Sequence, residues 1–167
     1  MKFICDDNLG RLAAYLRILG FDTLFYEKID DAALLRLAAG ENRCLLTRDN
    51  KLAAKSHPYG VLFLKDDNPL NQLSMVIKDL YLIIKTDLLF ARCSKCNSLS
   101  RSVDKKTLSD SVFPFILKSQ SAIYRCPVCG RYYWKGSHYK SLLRKLKSAV
   151  RDENISGEWP DVDSGEI

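Results

Sequence analysis

The stretch Phe3-Ile4-Cys5-Asp6-Asp7-Asn8-Leu9-Gly10 decides the fold, because an apolar strand runs into two carboxylates and then directly into a helix. Beyond it Leu9, Leu12, Ala13, Leu16 and Leu19 recur at helical spacing, Arg11 and Arg17 fall on other faces, and Gly20 supplies the stop. Asp6 therefore stands where a strand ends and a helix begins.

The same pattern repeats along the chain. Thr23-Leu24-Phe25-Tyr26 reads as a second strand, followed by Asp30-Asp31 and a helix lined by Leu34, Leu37 and Ala38. Arg43-Cys44-Leu45-Leu46-Thr47 is a buried third strand, then Arg48-Asp49-Asn50 opens a short helical stretch over Lys51 to Lys55. Val61 to Leu64 is the fourth strand. Asp66-Asp67-Asn68-Pro69 then caps a helix carrying Leu73, Val76, Ile77, Leu80 and Ile84, with Asn68 as N-cap and Pro69 at the first position. Strands separated by helical crossovers form a parallel sheet. In such a sheet every strand-to-helix junction lies on one edge, where α/β proteins build their sites. Asp6, Asp7, Asp30, Asp31, Asp49, Asp66 and Asp67 are all expected on that rim.

Each acid alone is accounted for by helix capping. Gathered together they repel one another unless a cation intervenes. A hard divalent ion, Mg²⁺ or Mn²⁺, takes oxygen ligands and can hold a phosphodiester while water attacks it.

The chain has 167 residues, 47% of them hydrophobic, enough for one α/β core plus an appendage too small to fold on its own core. No stretch approaches the ~20 apolar residues of a membrane span, and the N-terminus lacks a signal-peptide pattern. The expectation is a cytoplasmic protein without a membrane partner, its cysteines reduced or metal-bound. The net charge of +6 is unevenly spread: residues 1–92 hold 13 bases and 12 acids, residues 93–150 hold 12 and 2, and residues 151–167 hold 1 and 6. The basic middle favours a polyanionic partner, nucleic acid first among them.

Within that basic segment, Cys93-Ser94-Lys95-Cys96 and Cys126-Pro127-Val128-Cys129 are two CxxC knuckles, with Gly130 after the second. Two residues between thiolates let both reach one ion, and four thiolates close a tetrahedral Zn²⁺ shell, which makes the zinc structural. A redox pair is the competing reading, disfavoured by the presence of two such pairs. The long gap between knuckles leaves room for an inserted element, including Val112 to Leu117. Cys5 and Cys44 lie inside buried strands and read as small hydrophobes.

After the second knuckle, Arg131-Tyr132-Tyr133-Trp134-Lys135-Gly136-Ser137-His138 interleaves aromatics with bases, a composition that stacks on unpaired bases and pairs with phosphates. Packing of the small zinc core accounts for at least one of these aromatics. Ser137 reads as the N-cap of a last helix with Leu142, Leu143, Leu146 and Val150 on one face and Lys140, Arg144, Lys147 and Arg151 on another. His138 reads as a capping or substrate-contact group. Residues 151–167, acidic and without periodicity, read as a disordered tail.

Taken together, Phe3 to Asp6 with Leu9-Gly10-Arg11-Leu12-Ala13 and Leu16-Arg17, Asp31-x-x-Leu34-Leu35, Leu45-Leu46-Thr47-Arg48-Asp49, the two CxxC pairs, and Cys129-Gly130-Arg131-x-Tyr133-Trp134-x-Gly136-Ser137-His138 resemble the Mut-seven C-terminal RNase domain family across residues 2–147. The resemblance implies an α/β, PIN-like three-layer domain with a short parallel sheet over residues 1–88, a four-cysteine zinc ribbon with a basic helix over 89–150, and a tail over 151–167. It implies a metal-dependent endoribonuclease in which Asp6, Asp31 and Asp49 hold Mg²⁺ or Mn²⁺. Thr47 would hydrogen-bond within the site or to the attacking water, and Arg48 would contact phosphate. For a fourth acid, Asp7, Asp30, Asp66 and Asp67 compete. Arg131, Tyr133, Trp134, Lys135, His138, Lys140 and Arg144 are the expected contacts to single-stranded or loop-containing RNA. A non-catalytic RNA- or ribonucleoprotein-binding zinc-ribbon adapter is the alternative.

Overall fold

A computed structural model describes residues 1–55, 57–108 and 114–162. Four strands, β1 (Lys2–Cys5), β2 (Asp22–Phe25), β3 (Cys44–Thr47) and β4 (Val61–Phe63), form a parallel sheet in the order β2-β1-β3-β4. Helices α1 (Gly10–Ile18), α2 (Asp31–Gly40), α3 (Asn50–Ala53) and α4 (Pro69–Asp79) occupy the crossovers.

Strand alternation sorts the core into two faces. Phe3, Cys5, Cys44 and Leu46 point to one side, where they meet Leu12 and Leu16 of α1 and Leu73, Val76 and Ile77 of α4. Ile4 and Leu45 point to the other and meet Leu34 and Ala38 of α2 and Leu52 of α3. The result is three layers, helices on both faces of a sheet whose central strands carry the buried apolar runs Phe3 to Cys5 and Cys44 to Leu46 because both sides are covered.

The helix boundaries follow local chemistry. Asp30 caps α2 by accepting from the Ala33 N–H at 2.9 Å, and Asn68 caps α4 by accepting from the Leu70 N–H at 2.9 Å with Pro69 in first place. After α1 the chain turns at Gly20, whose φ of +93° is left-handed and favours glycine.

Beyond α4 come β5 (Ile84–Lys85) and a three-stranded antiparallel ribbon of β6 (Arg101–Ser102), β7 (Tyr124–Arg125) and β8 (Tyr132–Tyr133), with α5 (Pro114–Ser119) inserted between β6 and β7. Val112 and Phe113, which the sequence places in that insert, lie outside the described residues. The insert closes a small core of Leu108 and Ile123, packed by Val103, Ile116, Leu117, Tyr132 and Trp134. Helix α6 (Ser137–Lys147) begins one residue earlier than expected, with Gly136 rather than Ser137 at the N-cap. Its Leu146, followed by Ala149 and Val150, joins the core of the sheet rather than that of the ribbon.

The acidic tail differs from its expected disorder. Within the described residues, β9 (Ile155–Ser156) pairs in parallel with β5, Asn154 Nδ2 donates to the Leu82 carbonyl at 3.2 Å, and Trp159 packs against the main core. Two apolar residues, Ile155 and Trp159, find an unpaired strand edge and a partly open core. A single pair is too few to register as periodicity. Among the described residues no helix is long and apolar enough to cross a membrane.

Candidate metal and carboxylate sites

The carboxyl edge is assembled by the β1–β3 ladder. The Asp6 N–H donates to the Leu46 carbonyl at 3.0 Å, carrying the pairing of the two strands to the rim. There the fully buried Thr47 hydroxyl donates to Asp6 Oδ2 at 2.8 Å and accepts from the Asp49 N–H at 2.9 Å. Two acids 43 positions apart in sequence are thus fixed through one hydroxyl. The other Asp6 oxygen accepts from the Asp7 N–H at 2.8 Å.

Asp49 also caps α3, its Oδ1 accepting from Lys51 and Leu52 N–H at 2.6 and 3.0 Å. The Leu52 bond first, then that of Lys51, hold its carboxyl below the usual carboxylate range, so it is ionised at neutral pH. Asp30 and Asp66 are lowered in the same way by the Ala33 and Asn68 N–H groups. Capping is therefore a real duty of these acids.

Asp31, at the start of α2, is ion-paired with Lys55 at 3.3 Å. Arg48 pairs with Asp67 across the rim, and its buried Nε has no hydrogen-bond partner among the described residues. Asp66 is tied into its own loop by Asn71, while Gln72 Nε2 donates to the Asp66 carbonyl at 2.7 Å. Beside them a cleft of about 370 Å³ opens between Asp7, Arg11, Phe25, Asp67 and Gln72. All these acids share one rim. Nevertheless, among the described residues only the four cysteines bring three or more ligand atoms within 4.8 Å of one another, so Asp6, Asp31 and Asp49 do not converge to shared-ligand spacing. Their donor chemistry, carboxylate oxygens exposed at Asp31 and Asp49 and half-buried at Asp6, suits a hard cation; Asp6 and Asp49 are organised together through Thr47.

The cysteines do converge. Sγ atoms of Cys96 and Cys126 are 3.3 Å apart and those of Cys93 and Cys129 are 3.6 Å apart. Tetrahedral Zn–S bonds of ~2.3 Å require S···S separations of roughly 3.8 Å, so the donor set fits Zn²⁺ with small adjustments. Burial works against ionising Cys126, but the Cys129 N–H and the Ser98 hydroxyl, 3.0 Å away, outweigh it and bring the thiol down to about 6. Cys129 moves the opposite way, up to about 12, through partial desolvation and the three neighbouring sulfurs. Sulfurs this close cannot all ionise without a cation, which is the condition zinc satisfies. Gly130, at φ +73°, makes the knuckle turn, its N–H reaching the Cys126 carbonyl at 3.0 Å. Cys5 and Cys44 are buried in their strands, and burial pushes the Cys44 thiol up to about 11.

The aromatic and basic residues after the second knuckle separate into different roles. Tyr133 turns inward, its hydroxyl 2.9 Å from Cys93 Sγ, instead of presenting a ring to a base. Trp134 packs the ribbon core. Arg131, Lys135 and His138 are exposed and Lys140 is half-buried. Arg144 Nη2 donates to the Val162 carbonyl of the tail at 2.9 Å.

Sequence reasoning missed the residues that dock the first knuckle on the sheet. Arg17, buried on α1, donates from Nη1 to the Ser94 and Lys95 carbonyls at 3.0 and 2.7 Å, and from Nε to Thr23 at 2.8 Å. Asn97 Oδ1 accepts from the Thr23 N–H at 3.0 Å and its Nδ2 donates to Asp22 at 2.7 Å. The only sequence signal was an arginine set between Leu16 and Ile18 in α1, the helix that packs against the sheet.

Parallel sheet, acid-lined carboxyl edge and closed cysteine cluster define an α/β protein with a candidate structural metal site. The chain belongs to the Mut7-C RNAse domain family, whose model matches residues 1–146. Membership suggests a ribonuclease, with RNA as its substrate. No curated protein and no solved structure matches the chain.

Proposed function

We propose that the protein is a metal-dependent endoribonuclease that cuts single-stranded or loop RNA at the rim formed by Asp6 and Asp49, with the zinc module gripping the strand. The observation carrying this reading is the Asp6–Thr47–Asp49 hydrogen-bond chain at the carboxyl edge of a Mut7-C RNAse domain. Asp6 and Asp49 would hold Mg²⁺ or Mn²⁺, with Asp31 flanking them. Held there, such a cation would supply charge neutralisation at the phosphate and a lowered pKa of water for in-line attack. Thr47 fixes the Asp6 carboxylate by donating to Oδ2, which orients that oxygen. Arg48, paired with Asp67 in the free protein, would exchange that partner for phosphate. Exposed Arg131, Lys135 and His138, together with Lys140 and Arg144, supply the strand contacts.

The capping bonds of Asp30, Asp49 and Asp66 favour a second reading, an RNA-binding zinc-ribbon adapter without catalysis. Incubation of labelled RNA with Mg²⁺, Mn²⁺ or neither separates them. The nuclease cuts only with metal and loses cutting, but not RNA affinity, in Asp6→Asn. Binding without cleavage under every condition would leave the adapter.

A further inference from the structure

The ribbon carries a feature that its fold does not require. In the antiparallel pairing of β6 with β7, Arg101 stands directly opposite Arg125. The Val103 N–H donates to the Ile123 carbonyl at 3.0 Å, which makes that pair a hydrogen-bonded one. Two residues along, Arg101 and Arg125 have the same phase, with Cα atoms about 5.5 Å apart and side chains on the same face. Like charges directly opposite destabilise a sheet, and both arginines are exposed. No carboxylate among the described residues pairs with either. The other half of this face is closed: Val103 and Ile123 lie under α5 in the ribbon core. Only the arginine end is open. There Tyr132, opposite Arg125 on β8, lies beneath its guanidinium at 5.5 Å from the ring centroid, which restricts where that group points.

We infer that Arg101 and Arg125 form a two-guanidinium fork that binds backbone phosphate of single-stranded RNA. Guanidinium planes match phosphate bidentately, and an anion between two like charges removes the repulsion that the empty pair carries. A strand of phosphates is the occupant that complements a segment of 12 bases and 2 acids. The inference extends the RNA-binding half of the proposed function and does not depend on cleavage.

The test uses the full zinc-loaded chain, a fluorescently labelled oligouridylate, and buffer without added Mg²⁺ or Mn²⁺, with affinity read by anisotropy across a salt series. Arg101→Ser/Arg125→Ser should weaken binding by about ten-fold or more and flatten the log–log salt slope by about 1.4, two phosphates at ~0.7 each. Its melting temperature should hold or rise by about 1–3 °C as repulsion is removed. Arg101→Lys/Arg125→Lys should keep the salt slope while losing part of the affinity, and Lys28→Ser/Lys78→Ser, the same charge removed from the sheet layers, should change neither. Unchanged affinity and slope in the serine variant would overturn the fork. So would a lowered melting temperature accompanied by full binding loss in the lysine variant, which would make the pair structural, or binding of polyglutamate in place of oligouridylate. A protein that never cuts RNA yet binds it through these arginines removes the nuclease reading and keeps the fork. One that cuts RNA with an affinity indifferent to them does the reverse.

Discussion

Replacing Arg17 with methionine should loosen the cysteine cluster from 75 or more positions away in sequence. The Arg17 side chain is 4% exposed and makes three short bonds to main-chain carbonyls, one to Thr23 in the sheet and two to Ser94 and Lys95, the residues between Cys93 and Cys96. Methionine keeps most of the aliphatic stem and removes all three donors. A hydrogen bond to a charged group contributes about 1.5–3 kcal/mol, part of which is offset by the cost of burying the guanidinium. About 3 kcal/mol is the expected loss, or roughly 6–12 °C in melting temperature for a chain of this size. The outer groups that orient metal ligands typically change affinity by 10–100-fold, so zinc transfer to a chromogenic chelator should accelerate by about that factor. Melting curves of zinc-loaded protein and the rate of zinc transfer measure the two effects. Equal melting and equal transfer in Arg17→Met would refute the claim that the knuckle is held by this side chain.

Three further outcomes follow from other contacts. The Asp22 carboxyl, despite burial that would raise it, is held below the usual range by bonds from Arg43 and Asn97; a depressed folded pKa stabilises above the unfolded value of ~3.9. The stability difference between wild type and Asp22→Asn in urea should therefore be full near neutrality and shrink as pH falls below about 4. Thr47→Val removes both bonds that join Asp6 to Asp49, at about 1–3 kcal/mol in urea unfolding, and should slow metal-dependent cleavage by about ten-fold or more in kcat. Trp159→Ala should cost about 2 kcal/mol, below the range for a fully buried tryptophan; Trp159→Phe should cost much less, because the indole N–H has no hydrogen-bond partner among the described residues.

The parallel sheet was legible because each strand is a short apolar run ending in an acid at a helix start, and local capping rules act over three or four residues. Asp30, Asn68 and Pro69 sit where those rules put them. The four cysteines were legible because ligand spacing is a local constraint that few other functions impose. The docking of the knuckle was not, since Arg17 and Asn97 act through main-chain groups of distant segments, which any sequence could present. Tyr133 looked like a stacking ring, but its hydroxyl found a sulfur as partner. Asp31 is expected as a third ligand at the rim, and its pairing with Lys55 on the neighbouring crossover was not legible, because the two meet only through the fold. Ordering of the tail rests on one short strand pairing, one tryptophan and the Asn154 and Arg144 hydrogen bonds to main-chain carbonyls, none of which leaves a periodic signal.

The central claim, that water attacks phosphorus at the Asp6–Asp49 rim with a divalent cation bound, is tested most directly by the ends of the products. RNA cut by the wild-type chain with Mn²⁺ in oxygen-18 water should carry a linear terminal phosphate with solvent-derived oxygen, and Asp6→Asn/Asp49→Asn should form none. A cyclic phosphate, formed by attack of the neighbouring ribose hydroxyl, or the same linear product from the double variant, would contradict it.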